Sequence, residues 1–147
     1  IGKKGEPILT EDSPFMAGRW QRLRSGSEVT LLACGTILGE VLAAADLLAK
    51  KKIQATVWNC ASVKPLDLEA LNNLGSAPVF AIEEHSVLGG FGSSVAECLS
   101  SQKHPPRLIR FGIPDEFLHD CGEQEEARSH CGVDAESLAR RIAAEIA

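Results

Sequence analysis

The chain has 147 residues, a single domain's length, enough to withdraw roughly two-thirds of its unfolded surface from water. With 44% hydrophobic and 24% charged residues and no biased tract, it reads as an ordinary globular sequence rather than a disordered one. Fifteen basic against twenty acidic residues leave a net charge of −5, which argues against a phosphate-tracking nucleic-acid surface, and no apolar run approaches the ~20 residues that cross a bilayer; a cytoplasmic protein without nucleic-acid or membrane partners is expected.

The chain starts at Ile1 rather than Met, and "IGKKGEPILTEDSP" is polar, aperiodic and punctuated by Gly and Pro, so residues 1–14 are expected to be a linker entered within a longer protein or an extended N-terminal segment, with one domain over 15–147. "GRWQRLRSG" (18–26) predicts a rather polar strand. The joint "RSGSE" after it is hairpin-short, which allows an antiparallel strand without fixing its neighbour. "EVTLLACG" (28–35) is a continuous apolar run ending in Gly, the pattern of a strand buried on both faces. Next, Ile37, Leu38, Val41, Leu42, Ala45, Leu48 and Ala49 recur at helical spacing, with Thr36 as the expected N-cap.

"IQATVWNC" (53–60) predicts the next strand, and "PLDLEALNNLG" (65–75) a short helix capped by Asp67 and stopped by Gly75. "APVFAIEE" (77–84) predicts a further buried strand, followed by a helix over "SSVAECLSS" in which Ser94 and Glu97 have capping-box spacing. "RLIRFGIP" (107–114) is another strand, and "GVDAESLARRIAAEIA" a closing helix capped by Asp134. Strands alternating with helices imply right-handed crossovers and a mostly parallel sheet covered on both faces, a three-layer α/β/α sandwich.

"AIEEHSVLGGFGSS" (81–94) holds the strongest candidates. Gly89, Gly90 and Gly92 have neither the G-x-G-x-x-G spacing nor the Lys-Ser/Thr of the two common phosphate loops. Yet they lie between a strand and a helix start, where free amides and the helix dipole favour an anion; the alternative is tight backbone geometry. Glu83, Glu84 and His85 fall at the C-terminal end of a parallel strand, the rim where open α/β sheets place their sites. They read as a solvated rim or domain interface with ionised carboxylates, or as general acid/base groups led by His85.

Asp115 and His119 could pass for two members of a triad, but no G-x-S-x-G elbow exists. Of five cysteines (Cys34, Cys60, Cys98, Cys121, Cys131), three sit in apolar runs and read as buried small hydrophobes, with Cys34 a conceivable nucleophile beside a helix start. His119, Cys121, His130 and Cys131 lack the short fixed spacings of zinc ligands, and no metal is expected.

Taken in order, "EVTLLACGT", "KPLD", "IEEHSVLGGFGSSVAE" and "GIPDEFLHDCGEQEEAR" resemble the C-terminal domain of the transketolase family of thiamine-diphosphate enzymes, over nearly the whole chain from Phe15 onward. The resemblance implies five strands with the first antiparallel, and a domain that follows pyrophosphate-binding and pyrimidine-binding domains. It implies ketol transfer between sugar phosphates in the assembled enzyme. The thiamine diphosphate and magnesium would be held by those other domains or subunits, because the family's G-D-G motif does not occur in this chain. No catalytic, cofactor or metal residue carries over. Glu83, Glu84, His85, Gly89, Gly90 and Gly92 become a strand-to-helix turn near a domain junction or subunit contact, with a supporting role open to His85. A homo-oligomer is expected. The same domain ends 1-deoxyxylulose-5-phosphate synthase and the β-subunits of 2-oxo acid dehydrogenase decarboxylase components, so the branch stays open. Two readings of other classes are a stand-alone anion-binding or assembly module and a small independent enzyme using His85 with Glu84.

Overall fold

The computed structural model describes residues 7–10, 15–119 and 122–147. Five strands, β1 (Gln21–Arg24), β2 (Val29–Cys34), β3 (Ala55–Asn59), β4 (Val79–Ser86) and β5 (Leu108–Ile113), form one sheet in the order β1-β3-β2-β4-β5. The other four are parallel and β1 is antiparallel, as expected. The short joint after β1 does not make a hairpin with β2, however. Gln21 pairs with Asn59 and Arg22 with Trp58, so β1 crosses to the far edge of β3.

Among the described residues five helices cover the sheet: α1 (Leu38–Lys50), α2 (Leu68–Asn72), α3 (Phe91–Ser100), α4 (Gln124–His130) and α5 (Ala135–Glu145). The strand period of two splits the core into two layers. Val29, Leu31, Ala33, Phe80 and Ile82 point to one side, where they pack with Val41, Ala44, Leu48, Leu138 and Ile142 of α1 and α5. Leu32, Val79 and Ala81 point to the other and pack with Leu71 of α2 and Phe91, Val95 and Leu99 of α3. Each large side chain removed from water in this way stabilises the fold by about 1.5–3 kcal/mol. Trp20 closes the second layer, its ring edge-on to Phe91 with centroids 5.7 Å apart.

Two local expectations are corrected, and one helix is unforeseen. Thr36 does not cap α1: a 3-10 turn over Gly35–Ile37 comes first, Ile37 stands at the N-cap position, and the Thr36 hydroxyl is used elsewhere. Ser94 does not cap α3, which already begins at Phe91, so Ser94 and Glu97 lie inside the helix. Finally, α4 has no apolar period to announce it. A capping box between Glu123 and Glu126 starts it, and polar side chains hold it in place. Asp67 and Asp134 do cap α2 and α5, accepting from the amides of Ala70 (2.9 Å) and Ser137 (3.0 Å).

Candidate functional site

The E-E-H stretch lies at the end of β4, and the alternation that sorts the core also sorts its two carboxylates. Phe80 and Ile82 face α1 and α5, and Ala81 faces α3. Continued by one step each, the pattern sends Glu83 toward α3 and Glu84 toward α1 and α5.

Glu83 is buried, with 4% of its surface exposed. It is thus not the solvated rim carboxylate expected from its place at a strand end. Its two oxygens accept from the amides of Phe91 (2.6 Å) and Gly92 (2.8 Å), the first residues of α3. The helix terminus that could have received an external anion is met by the chain's own carboxylate, in the place where negative charge and free amides suit one another.

The glycines make this geometry possible. Gly89 has φ of 77°, in the left-handed region that a side chain disfavours. A β-carbon on Gly90 would stand 2.2 Å from Oε2 of Glu83. Gly92 lies over Arg110 of β5, whose guanidinium donates to the Val87 carbonyl (3.1 Å) and the Ser93 hydroxyl (2.9 Å), tying the turn to the neighbouring strand.

Glu84 organises the opposite face. One oxygen accepts from the Thr36 hydroxyl (2.6 Å) and from Arg128 of α4 (2.8 Å); the other accepts from Gln124 at the start of α4 (2.8 Å). Arg128 also lies 3.5 Å from Glu40 of α1, and Glu40 in turn accepts from the Ala135 amide in the first turn of α5 (2.9 Å). Burial pushes the Glu84 carboxyl up, but the hydrogen bonds from Arg128, Thr36 and Gln124 and the Arg128 charge outweigh it, and the net shift is downward. One carboxylate therefore joins β4, the turn before α1, and α4.

His85 is exposed, with its Nδ1 at 3.4 Å from the Ser86 carbonyl. A His85–Glu84 catalytic pair is not assembled: adjacent strand residues face opposite ways, and Glu84 has its oxygens engaged by three other groups. Among the described residues no hydrogen bond or ion pair joins Asp115 to His119. Burial, with the Glu83 charge adding to it, raises the Cys34 thiol to about 11, so its nucleophilic thiolate is scarce at neutral pH. Cys60 is fully buried, Cys34, Cys98 and Cys131 are half-buried, and Cys121 falls outside the described residues. Among the described residues no group of three or more His, Cys, Asp or Glu is placed to hold a metal ion.

A second polar node does not show in the sequence as such. Asp67 of the "KPLD" run caps α2 with one oxygen, while the other accepts from the Trp20 amide (2.8 Å) just before β1. The Trp20 indole donates to the Ser62 carbonyl (2.8 Å), and the Gly18 amide to the Ser62 hydroxyl (2.9 Å). Beside this node lies an open depression of about 400 Å³ that includes Phe15, Met16, Trp20 and Ala61 in its lining. Phe15 is 70%, Met16 61% and the nearby α2 residue Leu68 57% exposed.

The family model described as transketolase, C-terminal domain, matches residues 18–138. One of the subunits of apulose-4-phosphate transketolase from Actinobacillus succinogenes is 38% identical over 139 residues, covering 93% of this chain and 45% of the relative. The 1-deoxy-D-xylulose-5-phosphate synthase of Thermomicrobium roseum is 39% identical over 147 residues, covering 97% of this chain and 23% of the relative. Among solved structures, a split-gene transketolase described as an inactive β4 tetramer superposes with a TM-score of 0.83 at 35% identity, over 95% of this chain and 46% of that one. The chain thus spans less than half the length of these relatives. The mixed five-stranded sheet, the E-E-H and G-G-x-G turn and the matched span together show that the chain belongs to the transketolase C-terminal domain family.

Proposed function

We propose that this chain is the C-terminal domain or split subunit of a transketolase-like enzyme, that it supports subunit assembly for ketol transfer between sugar phosphates, and that it is inactive alone. The observation that carries this reading is the 35% identity and 0.83 TM-score to a split-gene transketolase over 95% of the chain. The local geometry agrees with it. The rim groups that could have served a ligand are spent on the fold, Glu83 on α3 and Glu84 on α4, so the described residues do not fit thiamine diphosphate and magnesium. In this reading the cofactor belongs to pyrophosphate- and pyrimidine-binding partners. Exposed Phe15, Met16 and Leu68 would be covered by partner surface.

The test is reconstitution. Titration calorimetry of the isolated chain with thiamine diphosphate and magnesium should show no saturable heat, and ketol transfer should appear only when the companion section is added. Saturable micromolar binding by the isolated chain would refute the reading. The identity to 1-deoxy-D-xylulose-5-phosphate synthase supports one alternative: a reconstituted enzyme that makes 1-deoxy-D-xylulose 5-phosphate instead of transferring a ketol unit would move the chain to that branch.

A further inference from the structure

The strands β2 and β3 are paired from Val29 opposite Ala55 to Ala33 opposite Asn59. The Cys60 amide donates to the Ala33 carbonyl at 2.8 Å and so closes the last rung, Ala33 opposite Asn59. The next residue along each strand is a cysteine, so Cys34 and Cys60 are neighbours just beyond that rung, close enough for the charge of one to act on the other. Both belong to the layer facing α2 and α3: Cys60 is in its core, and Cys34 packs against it. Neighbouring strands lie about 4.8 Å apart, within the ~4.4–6.8 Å range of Cα separations that a disulfide spans. The pair sits where β3 has already ended and where β2 passes into the turn at Gly35, so backbone on both sides has room to adjust.

We propose that Cys34 and Cys60 are a redox modification site, closing to a reversible disulfide across the C-terminal ends of β2 and β3. Cys34 is half-buried and the more open of the two, whereas Cys60 has no exposed surface, which sets the order of events. The Cys34 thiolate attacks one peroxide oxygen, the O–O bond breaks, and Cys34 becomes a sulfenic acid with hydroxide leaving. The Cys60 sulfur then attacks the Cys34 sulfur; the S–S bond forms, the S–O bond breaks, and water leaves with the Cys60 proton. Two thiols and one hydrogen peroxide thus give one disulfide and two waters. The raised thiol of Cys34 makes the first step slow at neutral pH and faster in alkali. The link would tie together two rim connections: Cys34 lies two residues before Thr36, which holds Glu84, and Cys60 two residues before Ser62, which holds Trp20.

The test uses the full chain treated with hydrogen peroxide, unfolded, alkylated with N-ethylmaleimide and mapped by tryptic mass spectrometry. Lys64 precedes Pro65, so trypsin leaves Cys60 and Cys98 in one peptide; a Cys98→Ser background removes that ambiguity. The expected result is loss of alkylation at both Cys34 and Cys60, a cross-linked peptide pair lighter by two hydrogens, and full return of alkylation after dithiothreitol. Cys34→Ala should abolish the cross-link and Cys131→Ser should leave it. Three outcomes would each overturn the proposal: Cys34 oxidised to sulfinic acid while Cys60 stays alkylatable, both thiols untouched, or links only to Cys121 or Cys131. Fragment-ion sequencing of the long peptide tells Cys60 from Cys98 in the parent protein as well, so a substitution that fails to fold does not blunt the result.

Discussion

A β-carbon on Gly90 would lie 2.2 Å from Oε2 of Glu83, so the missing side chain of the glycine is the space through which the carboxylate reaches the first amides of α3. Gly90→Ala must therefore push Glu83 aside, and it should cost about 2–4 kcal/mol as overpacking adds to a weakened helix cap. Gly89→Ala meets open space but keeps a φ of 77°, for about 1–2 kcal/mol. Gly92→Ala should be the mildest of the three, since the ~1 kcal/mol that Ala gains in a helix offsets much of the crowding against the Arg110 methylenes at 3.1 Å and Glu83 Oε1 at 3.3 Å. Denaturant titration of the three variants checks the ranking. If Gly90→Ala proves milder than Gly89→Ala, the turn is set by φ alone and not by the space above Glu83.

Removing the carboxylate tests the same contact from the other side. Glu83→Ala leaves two buried amides without acceptors and should lower stability by about 2–3 kcal/mol. Glu83→Gln keeps one acceptor but turns an NH2 toward the other amide, so it should fall between Ala and the parent. Amide hydrogen exchange adds a local reading: protection of Phe91 and Gly92 should drop in Glu83→Ala before that of β2 does. Unchanged exchange at those two amides would contradict the capping role.

Much of this fold is legible in the sequence because strand and helix periods are clean. β2 and β4 read as continuous apolar runs, α1 and α5 as apolar faces, and Asp67 and Asp134 as caps that the structure confirms. The start of α3 is hidden because its cap comes from Glu83, eight residues before Phe91, a distance that no local capping rule reaches. Thr36 misleads for a related reason: its hydroxyl serves Glu84, 48 positions away. The helix α4 escapes because its contacts are ionic and hydrogen-bonded, through Gln124 and Arg128, and leave no hydrophobic period in the sequence. At the rim, residue types and strand position identify the right stretch, but not which carboxylate is buried, since that follows from the face each one takes.

Glu84 should give the protein an acid-sensitive component. Its folded-state pKa is depressed, so its contribution is fully present above the unfolded value of about 4.3 and is lost as pH falls through the folded value. Stability measured from neutral pH down to about 3 should therefore decline in the parent, and the decline should be shallower in Glu84→Gln. At neutral pH the variant should be the weaker of the two, because Arg128 loses its charged partner. Parallel pH profiles would show that the node draws nothing from the Glu84 charge.

His85 separates a folding role from a functional one. The side chain is exposed and makes at most a long contact to the Ser86 carbonyl (3.4 Å), so His85→Ala should change stability by no more than about 0.5 kcal/mol. A supporting role near a substrate channel would then register only in the reconstituted enzyme, as a change in KM or kcat without a change in melting temperature. Large destabilisation of the isolated chain would instead make His85 part of the fold.

Three exposed apolar side chains adjoin the groups of the Asp67 node: Phe15 and Met16, which line the depression together with Trp20, and Leu68, which follows Asp67 at the start of α2. An isolated domain seldom leaves such a group open unless another surface covers it, and the structural relative described as a β4 tetramer associates with copies of itself. The chain should therefore self-associate in a concentration-dependent way, and a Phe15→Ser, Met16→Ser, Leu68→Ser triple variant should weaken that association by tenfold or so, the equivalent of about 1.4 kcal/mol. Because all three side chains are more than half exposed, the melting temperature of the dilute monomer should barely move. Sedimentation velocity over a range of concentrations reads the first effect and thermal unfolding the second. An unaltered association constant would locate the contact elsewhere, with exposed Phe117 and Leu88 as the next side chains to change.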